Sequence, residues 1–298
     1  MKKIVAITFL ATVCGLFFSG CGSAGKLSND TFKFSREDKM VLGTYAALPR
    51  QPNGRADIDQ LIEQLKELNA NTYNWLIWQN ENDWADLQLF LPVALKNRIA
   101  VWVSLVPPSE SKPIAKWSSE PYGLDYIKWS EEIAKLSLQY PNLVVFSIDD
   151  FVHNLKTYTP EYLGKMMTEI DRINPSLQFI PCSYYRQITP DFVKKYASYL
   201  DGLLFPYRAE SEGGNLRNAD LVESEIARLR SLFNGEMPIY IDVYLTAHSR
   251  LGASTPTYVE EVIQGGKEYA DGVLIYTHPN PVSDAEKYQI VKAGFSKK

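Results

Sequence analysis

From residue 40 onward, short apolar runs alternate with longer amphipathic stretches, and the pair recurs eight times without a break. A continuous apolar run suits a strand covered on both faces, and apolar residues spaced three and four apart suit a helix lying over it. The strands are expected at Met40–Ala46, Thr72–Trp78, Ile99–Val106, Leu143–Ile148, Leu177–Cys182, Gly202–Pro206, Pro238–Val243 and Gly272–Tyr276. The first helix opens at Asp57, with Ile58, Leu61, Ile62, Leu65 and Leu68 on one face. Later helices are signalled by Thr159-Pro160, Thr189-Pro190 and Thr255-Pro256, a capping hydroxyl followed by proline in the first turn. The others are expected at Trp84–Leu95, Tyr126–Leu138, Ala219–Phe233 and Ala285–Ala293. Eight such units predict an α/β fold, a single-domain (β/α)8 TIM barrel over residues 37–298, in preference to an open doubly wound sheet. A faint internal echo accompanies the count. Tyr196-Ala197-Ser198-Tyr199-Leu200-Asp201-Gly202 and Tyr269-Ala270-Asp271-Gly272 each carry a helix end through an Asp-Gly turn into a strand.

The first residues follow different rules. Lys2-Lys3 precede the apolar run Ile4–Phe18, too short to span a bilayer comfortably, and Phe18-Ser19-Gly20-Cys21 resembles a bacterial lipobox. The expectation is a signal peptide over residues 1–20, a lipidated Cys21, and a polar tether over 21–36. The protein would then sit in the bacterial cell envelope, held to a membrane through its lipid only, on a periplasmic or cell-surface face. With Cys14 removed and Cys21 lipidated, Cys182 stands alone and reads as a small buried hydrophobe rather than a nucleophile. A net charge of −4 supplies no basic stripe, so nucleic acid is not an expected partner. Nucleotide-loop motifs are lacking, and no cofactor is expected.

In a barrel of this kind the chemistry lies just past the strand ends on the C-terminal face. There the sequence puts Tyr45; Trp75 and Trp78; Asp149 and Asp150; Tyr184 and Arg186; Tyr207, Arg208 and Glu210; Asp242 and Tyr244; and Tyr276 and His278. Carboxylates among flat aromatic rings, Arg and His describe a sugar site, and aromatic residues are 12% of the chain. Glycosidic cleavage needs an acid for the leaving oxygen and a second group at the anomeric carbon. Asp149 and Asp150 follow the apolar run Val144–Ile148 directly, and repulsion between them would raise one pKa as a general acid requires. Adjacent residues on a regular strand point to opposite sides, so both reach one pocket only if the backbone turns. One of them could instead cap the next segment or pair with Arg186 or Arg208. Asp242 and Glu210 compete as nucleophile or base, at about 5–5.5 Å for retention or about 6.5–9.5 Å for inversion.

An apolar strand ending in Asp-Asp, fourth in an eightfold barrel, resembles glycoside hydrolase family 84 and is more loosely similar to families 18 and 20. The sequence likeness covers Phe146–Phe151. It implies a retaining, substrate-assisted N-acetylhexosaminidase, with Asp149 polarising the substrate acetamide and Asp150 as general acid. Two other classes stay open: a non-catalytic glycan-binding surface lipoprotein, and a metal-dependent hydrolase using His153, His248 and His278 with Asp149. The three His lie on different loops without ligand spacing, and no metal is expected. Ser104 and Ser183 lack a nucleophile-elbow context.

Overall fold

The computed structural model describes residues 40–296; the expected signal peptide, lipidated Cys21 and tether lie outside the described residues. Eight parallel strands form one curled sheet, each followed by a helix. The strands are β1 (Val41–Tyr45), β2 (Thr72–Ile77), β3 (Ala100–Leu105), β4 (Leu143–Ile148), β5 (Gln178–Phe179), β6 (Leu203–Pro206), β7 (Ile239–Tyr244) and β8 (Gly272–Tyr276). They run side by side as β5-β4-β3-β2-β1-β8-β7-β6, a TIM-like arrangement. The helices are α1 (Ile58–Glu67), α2 (Asp83–Lys96), α3 (Tyr126–Gln139), α4 (Pro160–Ile173), α5 (Pro190–Tyr196), α6 (Val222–Leu232), α7 (Pro256–Tyr269) and α8 (Ala285–Phe295). A short hairpin pairing Ala247–His248 with Gly252–Ala253 follows β7. None of the described helices is long and apolar enough to cross a membrane.

Local chemistry sets these boundaries. The Thr159, Thr189 and Thr255 hydroxyls accept from the backbone N–H groups of Tyr162, Phe192 and Tyr258, and Asp57 does the same for Gln60. The two Asp-Gly turns share one job: the Asp201 and Asp271 carboxylates each accept, at 2.8 Å, an N–H near the start of another strand, from Phe179 and Ile239. The glycine after Asp271 is needed for space, since a Cβ on Gly272 would lie 2.7 Å from the Val41 carbonyl oxygen. The fifth strand is shorter than expected because Pro181 has no N–H to give to a ladder. Pairing resumes beyond it: Cys182 bridges to Leu204 of β6, with the Leu204 N–H donating to the Pro181 carbonyl at 3.1 Å and the Ser183 N–H to the Leu204 carbonyl at 2.8 Å.

Alternation along the strands divides the core in two. Inside the curl, Val41, Tyr45, Leu76, Trp102, Val145, Ile180, Leu204 and Leu274 pack together, with Trp102 edge-on to Tyr240 at 4.9 Å. Outside it, the opposite strand faces meet the helices through residues such as Tyr73, Trp75, Val103, Phe146, Phe205 and Ile275. Burying each such side chain contributes roughly 1.5–3 kcal/mol.

Candidate active site

A cleft of about 570 Å³ opens at the C-terminal ends of the strands. Strand parity decides which side chains reach it. Tyr45, Asp149, Cys182, Asp242, Tyr244 and Tyr276 continue the inward-facing sets of β1, β4, β5, β7 and β8, and all line the cleft. Trp78 lines it too, two residues on from inward-facing Leu76. Trp75 has the other parity; it is fully buried against the helices beside Phe90, its indole N–H bound to the Asp83 carbonyl. Tyr207 is likewise buried outside the sheet, its hydroxyl donating to the Asn218 carbonyl. His278 lies past the end of β8, where alternation no longer holds. Its Nδ1 is 2.8 Å from the Thr44 hydroxyl and its Nε2 2.8 Å from Gln64 Oε1 of α1, so it clamps β1 to α1 beneath the surface. These three expected sugar contacts are therefore packing residues.

The strand-four acids do reach the cleft together. Asp149 continues the inward parity of Val145, and Asp150 joins it because its backbone turns left-handed, φ 42° and ψ 35°. The Asp150 N–H donates to Asp149 Oδ1 at 2.9 Å, and the Tyr45 hydroxyl donates to Asp149 Oδ2 at 2.6 Å. Burial and the Asp150 charge push the Asp149 carboxyl up to about 6, against the lowering effect of those donors. A third carboxyl was not foreseen from the sequence. Glu110 ends a single 3-10 turn after β3 (Pro108–Glu110) and faces the pair. Burial, the charges of Asp149 and Asp150, and a hydrogen bond with Asp150 push it up to about 8. The Trp78 indole N–H holds that turn by donating to the Glu110 carbonyl at 2.9 Å. The one clue in the sequence was an acid just past Pro107-Pro108 at a strand end. Asp242 is the fourth: burial, then the Asp149 charge, raises its pKa well above the carboxylate range, and its Oδ1 has no hydrogen-bond partner. Neither Asp149 nor Asp150 forms an ion pair with Arg186 or Arg208 among the described residues; Arg208 is paired with Glu210 instead.

Glu210 belongs to an adjoining recess of about 360 Å³, which shares Arg208, Tyr184, His153, His248 and Arg250 with the cleft. Its carboxylate takes the Arg208 guanidinium and, at 3.0 Å, the Arg186 N–H, and its carbonyl takes Arg186 Nε at 2.7 Å. A carboxylate so occupied, outside the four-acid cluster, is an anchor for two arginines rather than a base across the cleft. Arg208 lies over the Tyr184 ring at 4.0 Å. Burial, then Arg208 and Arg250, lower the His248 pKa and keep its ring neutral. His153 and His248 share the rim while His278 is buried elsewhere, and no group of three or more His, Cys, Asp or Glu among the described residues is set to hold a metal ion. Cys182 is buried beneath Asp149, and burial pushes its thiol up.

No protein-family model matches the sequence, and no curated protein matches it. Solved structures do match in shape. A glucosidase from Croceicoccus marinus superposes with a TM-score of 0.62 at 11% identity, covering 86% of this chain and 67% of that one. An exo-β-1,4-mannosidase from Opitutaceae bacterium strain TAV5 gives 0.59 at 14% identity, over 89% of this chain and 57% of that one. A β-galacturonidase of glycoside hydrolase family 2 from Eisenbergiella tayi gives 0.58 at 13%, over 86% and 50%. The chain thus spans between 50% and 67% of these neighbours' lengths. At such identities the likeness is one of fold, and the neighbours that share the fold are glycoside hydrolases.

Proposed function

We propose that this protein is a glycoside hydrolase acting on a glycan at the C-terminal face of a closed (β/α)8 barrel. Closure is supported by the Cys182–Leu204 bridge between the two edge strands. One observation carries the activity: Glu110, Asp149, Asp150 and Asp242 converge in a cleft walled by Tyr and Trp, with Asp149 and Glu110 held at about 6 and about 8. Between those values Asp149 is ionised while Glu110 retains its proton. In this reading Glu110 supplies the proton through its hydrogen bond with Asp150, and Asp150 delivers it to the leaving oxygen. Asp149, fixed by Tyr45, faces the positive charge that develops at the anomeric carbon, or polarises an acetamide if the sugar is an N-acetylhexosaminide cleaved with its own acetamido oxygen as nucleophile. Asp242, kept neutral by burial, is suited to donating a hydrogen bond to a sugar hydroxyl. The glycosidase neighbours support this class by fold analogy alone.

The test is hydrolysis of a panel of aryl glycosides, neutral and acidic. Asp150→Asn should cost about 10²–10⁴-fold in kcat with an unchanged circular dichroism spectrum. Undiminished turnover by that variant would remove Asp150 from the chemistry. Tight glycan binding by the wild type with no product after long incubation would favour a non-catalytic glycan-binding protein. We further propose that Cys21 anchors the protein by lipid in the cell envelope, as the lipobox-like Phe18–Cys21 suggests. Cys21→Ser should then move it to the soluble fraction and abolish labelling by fatty acid, and equal membrane retention would discard the anchor.

A further inference from the structure

Beside the four acids, the wall shared by cleft and recess has the opposite character. Three arginines, Arg186, Arg208 and Arg250, line the recess against the single carboxylate of Glu210. The hydrogen bonding around His248 shows that an acceptor is wanted there. The Arg250 N–H donates to His248 Nδ1 at 3.1 Å, so in the neutral ring the proton must sit on Nε2. That Nε2 lies 3.3 Å from Arg208 Nη1, and a guanidinium has only donors to offer. Donor faces donor. Arg208 is nine-tenths buried, and its Nε also has no partner. A buried donor without an acceptor is costly, and each missing partner of a charged group matters more than that of a neutral one. An oxyanion lodged between His248 and Arg208, with Arg250 at the rim, would satisfy the Nε2–H and a guanidinium N–H at once. Arg208 cannot swing away to solvent, because Glu210 grips its other end and Tyr184 lies under its plane.

We infer that Arg208, His248 and Arg250 form a subsite for an anionic sugar, one carrying a carboxylate or a sulfate ester. The inference rests on the glycosidase reading for its position beside a reacting glycan, and its donor set is independent of the catalytic acids. Because the recess opens into the cleft through the side chains the two share, the charged group would sit on the sugar next to the acids or on its neighbour. Uncharged glycans would leave the donors facing one another.

Calorimetric titration of the wild-type protein with free monosaccharides tests this without any turnover. The probes are glucuronate and galacturonate, the matching hexose sulfates, and the parent neutral hexoses. At least one acid should bind about tenfold or more tightly than its parent, as a charge-assisted hydrogen bond predicts, and whichever class wins identifies carboxylate or sulfate. Arg250→Ala, at an exposed position where folding is not at stake, and His248→Phe should each erase most of that advantage. Equal affinity for acids and parents, or a preference that survives both substitutions, overturns the subsite. The two failures are separable. Anion preference without hydrolysis of any glycoside would sink the glycosidase reading alone, and hydrolysis of neutral glycosides without anion preference would sink the subsite alone.

Discussion

Three carboxyls with raised pKa values in one cleft make pH the sharpest probe at the scale of single residues. Asp149 must lose its proton to carry negative charge, which happens above about 6, and Glu110 must keep its proton, which lasts to about 8. The profile of kcat/KM should therefore be a bell with limbs near these values, since that parameter reports the free enzyme. Glu110→Gln should displace or abolish the alkaline limb while leaving the acidic one near 6. A profile whose two limbs are unmoved in that variant would remove Glu110 from the proton's path. Glu110 was invisible in the sequence for a physical reason. A 3-10 turn of three residues has no periodicity to read, and what aims it is the Trp78 indole, a contact across 32 positions. Asp150 was half legible: its strand placement could be read, but its arrival in the cleft depends on a left-handed backbone that an Asp tolerates and does not announce.

At the scale of elements, parity along one strand separates two tryptophans three positions apart. Trp75 packs under α2 and Trp78 reaches the cleft, so substitution should split stability from binding. Trp75→Phe loses volume and the bond to the Asp83 carbonyl, and should cost about 1–3 kcal/mol with KM unaltered. Trp78→Ala should do the reverse, raising KM about tenfold through a lost sugar platform and shifting the alkaline limb through the freed Glu110 turn. Thermal melts and Michaelis constants on both variants decide it; a raised KM in Trp75→Phe would contradict the burial. The elements themselves were readable because their signals are local. Thr-Pro caps and Asp-Gly turns act within a few residues, and each does in the structure what its chemistry dictates. Trp75 and Tyr207 lie near strand ends, as cleft residues do, but their place in the alternation turns them outward to the helices. His278 departs from the cleft for a different reason, since no alternation survives past Tyr276.

At the scale of the whole molecule, the eightfold alternation carries into the order β5-β4-β3-β2-β1-β8-β7-β6, and curling that sheet is what brings Glu110, Asp149 and Asp242 from distant parts of the chain into one cleft. Their convergence has a cost that the entire fold bears. A carboxyl whose folded pKa is raised holds a proton that the unfolded chain has already released, so stability falls as pH rises until the folded group ionises. The window for observing this is set by the other groups. Glu131, lowered to about 2, contributes its full stabilisation above its unfolded value near 4.5, and His278, lowered to about 3, opposes the trend only below about 6.5. From about 6.5 to 8 the raised acids Glu110 and Asp242 dominate, and the unfolding free energy should decline across that interval. Asp242→Asn keeps the shape and removes the titratable carboxyl. It should raise stability at pH 8 by about 0.5–2 kcal/mol, as relief of a strained site commonly does, or about 2–4 °C in Tm per kcal/mol for a domain of this size. Denaturant unfolding at several pH values measures both effects. If Asp242→Asn is less stable than wild type at pH 8, or if its decline from 6.5 is as steep, the buried acid is satisfied in a way its orphaned oxygen contradicts.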